Sequence, residues 1–246
     1  GKDQDYERSA ALQIQLNKAS ADAGEFVRLK CFRSGGQVRE PLLKRQLDIL
    51  YDTYLENQIP AAQMEAMVML QAQIEQKFNT FRIRLGDQVL SDNDAGTILR
   101  ISTDSGQLEK VWKSSKEIGR LVAPDILKLV RLRNDAARQL GFANFQQMQL
   151  ELGEQDPVQI EALFDELDEL TGSGFAGLKQ DIDAHLAARC GIAREQLQPW
   201  HYQDRFFQEA PVIYPVDLDA YYKDKDLVKI AKTFYAGIGM PVDDVI

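Results

Sequence analysis

The chain has 246 residues, of which 44% are hydrophobic and 27% are charged. These proportions are typical of a globular protein with one sizeable core or two small ones, and they exclude wholesale disorder. The net charge of −9 argues against a nucleic-acid partner, because binding to phosphates requires a concentrated basic surface. No apolar stretch reaches the roughly 18 residues that span a bilayer, so we predict no membrane partner.

The two cysteines, Cys31 and Cys190, are far apart in sequence and form no CxxC pair. Two reduced thiols are therefore expected rather than a disulfide, which favours a cytoplasmic location. A secreted or periplasmic location stays open, because the chain begins at Gly1 without an initiator Met and a leader could have been removed.

Apolar residues recur at helical spacing through the first 80 residues. The apolar spacing over residues 12–26 predicts one long helix, which is expected to end at Ser34-Gly35-Gly36. A second helix ends before Pro60, and a third covers residues 67–78.

The pattern changes at residues 81–90. Phe81–Leu85 alternates with period two, Gly86-Asp87 follows, and Val89-Leu90 comes next. This order predicts a short β-hairpin. The alternative is a linker between two helical layers.

Helical spacing returns from Gln107 onward, with recognisable starts and stops. Asp125 is placed to begin a helix that Gly141 ends, and Asn144 is placed to cap the next one. Asp156-Pro157 combines a cap with a proline at the first helical position.

The helix that follows Pro157 contains Gly172-Ser173-Gly174, which predicts a kink or break, because each glycine costs about 1 kcal/mol relative to alanine. This helix is expected to continue to Cys190 and stop at Gly191, and residues 227–238 form the last helix. The predicted fold class is all-α.

Metal-ligating and nucleophilic residues are sparse. A hydrolytic zinc site uses three protein ligands, often two histidines one helical turn apart with a glutamate between them. The chain has two histidines, His185 and His201, on different predicted elements and no HExxH. A zinc site here would need carboxylates or Cys190 to converge on them, so we predict no metal ligand and no catalytic residue in this chain.

The densest aromatic cluster is Trp200-His201-Tyr202, close to Phe206-Phe207. Aromatic loops of this kind can line a cleft, where an apolar ring and a polar tip both contact a ligand. We therefore predict Trp200, His201 and Tyr202 as substrate-binding residues. The alternative is that they pack a joint between helices.

Six segments, in this order along the chain, resemble the bacterial branch of the angiotensin-converting-enzyme-like zinc metallopeptidases, the M2 family. They are REPLLKRQLDILYDTYL at 39–55, IEQKFNTFR at 74–82, VWKSSKEIG at 111–119, LVRLRNDAARQLGFANFQQM at 129–148, PWHYQDRFFQEAP at 199–211 and DKDLVKIAKTFYAGIGM at 224–240. The GF-x-NF element also resembles the M3 oligopeptidases, which are the alternative family.

The resemblance implies the N-terminal half of a helical ellipsoid that is split by a deep groove. Residues 1–80 would then form lid-like helices, 81–106 a connecting segment with the hairpin, and 107–246 a helical groove wall. The HExxH helix and a downstream glutamate would follow residue 246, where zinc would activate water to attack short peptides.

The resemblance also implies an activity for the parent protein and partners for this chain. The full-length parent would be a zinc peptidase, whereas this chain, truncated at Gly1 and Ile246, would hold no zinc and cleave nothing. Its partners would be peptide substrate and the missing C-terminal half, with self-association through residues 227–238. The rival interpretation is a non-catalytic helical binding or scaffold module.

Overall fold

The computed structural model describes residues 5–214 and 219–243. This part of the chain is mostly helical and contains one two-stranded hairpin, which confirms the predicted all-α class. Its contacts form two compact units, Gly1–Glu209 and Ala210–Ile246. The predicted divisions at residues 80 and 106 stay predictions, and the predicted truncation points at Gly1 and Ile246 lie outside the described residues.

The first unit begins with four helices. They are α1 (Tyr6–Ala19), α2 (Ala23–Ser34), α3 (Pro41–Glu56) and α4 (Ala61–Thr80). The prediction of one long helix over residues 12–26 is wrong, because Asp22 accepts the backbone N–H of Glu25 and so begins a new helix. Helix α1 packs against α4, and α2 packs against α3.

The predicted hairpin is confirmed. Strands β1 (Ile83–Leu85) and β2 (Gln88–Leu90) pair antiparallel, and Gly86 adopts φ +62° in the turn. Ile83 pairs with Leu90, and both are buried in a core with residues of the next two helices. The hairpin is therefore part of the core rather than a linker.

Four more helices follow the hairpin: α5 (Asp92–Ile101), α6 (Ser105–Lys116), α7 (Ile118–Gln139) and α8 (Phe145–Leu152). The prediction that a helix begins at Asp125 is wrong, because Asp125 lies inside α7 and its carboxylate pairs with Lys77 of α4 at 2.5 Å. Buried Ile118 and Val122 hold the first turns of α7 in place although Pro124 interrupts its hydrogen bonds. Asn144 caps α8, as predicted.

Helix α9 (Pro157–Cys190) is continuous over 34 residues. Asp156 caps its start and Gly191, at φ +65°, ends it, as predicted. A kink or break was predicted at residues 172–174; the break is wrong, because intrinsic propensity is a weak determinant and the helix runs through these residues, whereas the kink stays a prediction. Only its C-terminal third contributes buried side chains, whereas large apolar residues are exposed upstream: Val158, Leu163, Phe164, Leu167, Leu170 and Phe175.

Two short 3-10 helices, Arg194–Gln196 and Pro199–His201, complete the first unit. The second unit contains the 3-10 helix Asp219–Tyr221 and helix α10 (Leu227–Gly237), which Asp226 caps. Across residues 5–214 and 219–243, no helix combines the length and the hydropathy that crossing a bilayer requires.

Candidate functional site

The three predicted site residues are consecutive, and their side chains take three different directions. Trp200 and His201 belong to the 3-10 helix Pro199–His201, and Tyr202 caps its C-terminal end. This short helix packs against α6, and Tyr202 contacts α9. The sequence cluster therefore becomes a joint between α6 and α9, which we call the aromatic joint and define as residues 198–207.

His201 is the buried residue of the aromatic joint, with 2% of its surface exposed. Its Nδ1 accepts the backbone N–H of Gln198 at 2.8 Å, and its Nε2 lies 2.8 Å from Ser105 Oγ. A backbone N–H can only donate, so Nδ1 must be unprotonated and the ring proton must be on Nε2, which donates to Ser105. Burial lowers the pKa of His201, which favours this neutral tautomer. The imidazole thus ties the joint to the start of α6.

Trp200 is half-buried and packs on the main core. Its ring centroid lies 6.2 Å from that of Trp112, and Lys113 Nζ lies 5.3 Å from the centre of the Trp200 ring. The indole N–H groups of both tryptophans are buried without a protein acceptor in the described structure. Trp200 therefore contributes mainly apolar contact to the joint.

Tyr202 connects the joint to α9 through a closed polar cluster. Its hydroxyl donates to Asp183 Oδ1 and accepts from Lys179 Nζ, both at 2.8 Å, and Lys179 Nζ lies 2.6 Å from Asp183 Oδ1. Burial acts to raise the pKa of Asp183, but the hydrogen bonds from Lys179 and Tyr202 outweigh it and lower that pKa. The cluster is a carboxylate–ammonium pair bridged by a neutral phenol.

A cleft of about 490 Å³ lies between α5 and residues 203–209, so the second half of the joint lines it. Arg205, which lines it, donates to Asp92 of α5 at 3.0 Å, and its carbonyl accepts from Lys116 Nζ. Burial and the nearby Arg205 guanidinium lower the pKa of Lys116. Asp204 organises the turn by accepting the backbone N–H groups of Gln208 and Glu209.

Sequence reasoning missed the partners that fix the joint. Lys179 and Asp183 are four residues apart in a helical pattern, and this spacing typical of ion pairs could have drawn attention to them. Ser105 carries no such pattern, because its contact with His201 joins residues 96 positions apart.

The described residues do not fit a zinc ion. They contain no group of three or more His, Cys, Asp or Glu side chains that could hold a metal. Both ring nitrogens of His201 are engaged in hydrogen bonds, and His185 lies exposed on α9. The acidic residues of 161–169 are also exposed on α9. We therefore derive no reaction step through zinc.

Comparison with known proteins identifies a family for this chain. The family model described as angiotensin-converting enzyme, of peptidase family M2, matches residues 3–186, well over half of the chain. The matched segment runs from the N-terminal helices through most of α9 and ends before the aromatic joint. No curated protein matches the chain. The family match agrees with the helical architecture, and the chain belongs to the angiotensin-converting enzyme family of peptidases.

Proposed function

We propose that this chain is the N-terminal, non-catalytic part of a zinc-dependent peptidase that hydrolyses short peptides, from the bacterial branch of the family. The family match over residues 3–186 is the observation that carries the proposal. The described residues bring no three metal-ligating side chains together, so in this proposal the zinc ligands lie elsewhere in the enzyme. The zinc ligands would be supplied by polypeptide that follows residue 246.

Within that enzyme, the aromatic joint would form part of the substrate-binding wall. Trp200 and Tyr202 are half-buried, so each keeps an accessible edge that a peptide could contact. His201 is a positioning residue, because its hydrogen bonds to Gln198 and Ser105 hold the joint against α6. The alternative, that the joint only packs α6 against α9, is supported by the same contacts.

Expression of the natural reading frame beyond codon 246 tests the proposal. We expect the longer polypeptide to contain HExxH, to retain zinc after dialysis and to cleave short peptides, whereas residues 1–246 alone do neither. A longer frame without HExxH would contradict the proposal, as would near-stoichiometric zinc in the 246-residue chain that His185→Ala or His201→Ala abolishes.

Kinetics of the longer polypeptide distinguish the two roles of the joint. Trp200→Leu and Tyr202→Phe should raise KM severalfold with a smaller effect on kcat if these side chains contact peptide. Tyr214→Phe serves as a control, since Tyr214 is 56% exposed. Unchanged KM in folded Trp200 and Tyr202 variants would favour the packing role alone.

We also propose that α10 binds either a C-terminal half that would follow residue 246 or a second copy of this chain. Leu227, Ile230 and Phe234 recur along α10, and each is at least 41% exposed. Exposed apolar stripes of this kind favour association. Light scattering should show concentration-dependent self-association of residues 1–246 that Phe234→Glu weakens and Thr233→Glu leaves intact. A strictly monomeric chain would contradict this part of the proposal.

A non-catalytic binding or scaffold module is the second candidate, and it would account equally well for the described residues, which hold no group of three metal-ligating side chains. Such a module would bind peptide through residues 1–246 alone. Saturable binding at the aromatic joint, weakened by Trp200→Leu, together with a natural frame that lacks HExxH, would favour the module over the peptidase.

A further inference from the structure

A second cavity lies in the first unit, away from the aromatic joint, among helices α1, α4, α7 and α8. Its volume is about 430 Å³, which lies at the small end of the range of roughly 300–1,000 Å³ for ligand sites. Its lining includes four buried apolar residues, each at most 4% exposed: Ala10, Met64, Ala136 and Met148. Methionine side chains adapt to ligands of varied shape, so this floor suits an apolar group without selecting one outline.

Arg133 of α7 supplies the positive charge of this cavity. Its guanidinium stacks on Phe145, 5.0 Å from the ring centre, and donates one hydrogen bond of 2.8 Å to Gln71 Oε1. Asn134 fixes the stacking partner by accepting the backbone N–H of Phe145. Arg133 is half-buried, and no carboxylate lies within ion-pair distance of it among residues 5–214 and 219–243.

A guanidinium has five N–H donors in a planar fork that matches a carboxylate or phosphate. In the described structure one donor of Arg133 is used, on Gln71. Stacking on Phe145 holds the plane of the fork, so little side-chain entropy is lost when an anion binds. The cavity therefore presents a prearranged site for an anionic group beside an apolar floor.

Two carboxylates line the same cavity and make a simple anion an incomplete match. Glu75 accepts from Gln71 Nε2 at 3.1 Å, and Gln71 in turn accepts from Arg133, so the three side chains form one chain of hydrogen bonds. Glu56, at the end of α3, accepts from Gln149 Nε2 at 2.8 Å. Each of these bonds uses one carboxylate oxygen and leaves the other for a cationic group.

We propose that this cavity binds a small zwitterion with an apolar body, of the size of an amino acid or a dipeptide. Its carboxylate would bind Arg133, its ammonium group would face the remaining oxygens of Glu56 and Glu75, and its apolar side chains would rest on the methionines. The three charged side chains would thus bind the two charged ends of the ligand, and the buried apolar lining would contact its apolar body. This site does not depend on the proposed peptidase function, because its ligand can be measured on residues 1–246 without zinc.

Titration calorimetry of the 246-residue chain with leucyl-leucine tests the proposal. We expect saturable binding that falls about tenfold or more in Arg133→Met, since a hydrogen bond to a charged group is worth at least that factor. Arg131→Met is the matched control, because Arg131 is exposed on the same helix, and it should bind like the unchanged chain. Circular dichroism confirms that each variant is folded.

Two modified ligands test the charges without any mutation. The unchanged chain should bind leucyl-leucinamide about tenfold more weakly than leucyl-leucine. The Arg133→Met variant should bind the two ligands with equal affinity, because the side chain that distinguishes them is gone. N-acetyl-leucyl-leucine should lose affinity in the same way, and Glu56→Gln with Glu75→Gln should remove that difference. If Arg133→Met fails to fold, Arg133→Lys and the amide ligand carry the same test.

Three results would overturn the proposal. They are no saturable heat with leucyl-leucine below about 10 mM, equal affinity for the free acid and the amide, and unchanged affinity in a folded Arg133→Met. None of them bears on the peptidase proposal, which the reading frame beyond codon 246 decides.

Discussion

His201 shows how one buried side chain ties a loop to a helix and makes stability depend on pH. Its Nδ1 accepts from Gln198, its Nε2 contacts Ser105, and burial lowers its pKa from the ordinary value of 6.5. Well above pH 6.5 the imidazole is neutral in both the folded and the unfolded chain. Below it, the unfolded chain takes up a proton that the folded chain resists, so this residue makes stability fall as the pH drops.

Replacing His201 should therefore flatten the pH dependence of folding stability. We expect urea unfolding of the unchanged chain to show a stability that declines from about pH 7 to about pH 5.5, by at most about 1.4 kcal/mol per pH unit from this residue. His201→Gln should be less stable at pH 7 but should lose that part of the slope. His185→Gln, on an exposed position of α9, should keep it. An identical slope in both variants would contradict the assignment.

Tyr202 provides the second link of the joint, and its contribution can be isolated. Tyr202→Phe removes the hydroxyl that bridges Lys179 and Asp183 but leaves their ion pair at 2.6 Å. We expect a loss of about 2 kcal/mol in the free energy of unfolding, because the two hydrogen bonds of the hydroxyl, one to Asp183 and one from Lys179, both disappear. Tyr221→Phe, at a site 73% exposed, should change stability little. A loss of equal size in both variants would show that the bridge contributes nothing specific.

At the scale of elements, two glycines of the α9 region should respond oppositely to the same substitution. Gly174 lies inside the helix, is exposed, and has no atom within 4 Å of an added Cβ. Gly191 ends the helix at φ +65°, where a side chain is strained. Gly174→Ala should raise the free energy of unfolding by about 1 kcal/mol, whereas Gly191→Ala should lower it by a similar amount. Thermal and urea unfolding measure both, and a stabilising Gly191→Ala would contradict the capping role.

Three helix ends with a strong local signal were predicted from the sequence, whereas two other helix starts were not. Asn144, Asp156 and Gly191 were predicted correctly, because a cap depends on atoms within four residues of it. Asp125 was misread as a helix start because its partner, Lys77, is 48 residues away. At residues 172–174 the local signal was present but too weak, since a penalty of about 1 kcal/mol per glycine did not break a long helix.

At the scale of the whole molecule, the two compact units should differ in stability. Helix α10 of the second unit has no buried residue among those described, whereas α6 of the first unit buries Leu108, Val111 and Ser115. Backbone amides exchange by local opening when few apolar contacts oppose it. Hydrogen exchange should therefore be faster in α10 than in α6 by at least about an order of magnitude. Equal protection would show that a covered face stabilises α10.

The difference between contacts local in sequence and contacts made by the fold explains how much of the candidate site was predictable. Trp200, His201 and Tyr202 are adjacent in sequence, so their clustering needed no structure. Their roles depend on residues that the fold brings from α6 and α9, between 19 and 96 positions away. No periodic pattern encodes such contacts, which is why the sequence identified the cluster but left packing and substrate binding as open alternatives.

The length of α9 has a consequence for where this protein should begin to open. At 1.5 Å per residue its 34 residues span roughly 51 Å. Its buried side chains lie in the C-terminal third, where Lys179 and Asp183 also contact Tyr202. A helix opens first where few buried contacts oppose opening, so α9 should begin to melt in its exposed N-terminal part. The glycines at 172, 174 and 177 lie just before the buried third and have the lowest helix propensity, so melting should reach them before it reaches Lys179.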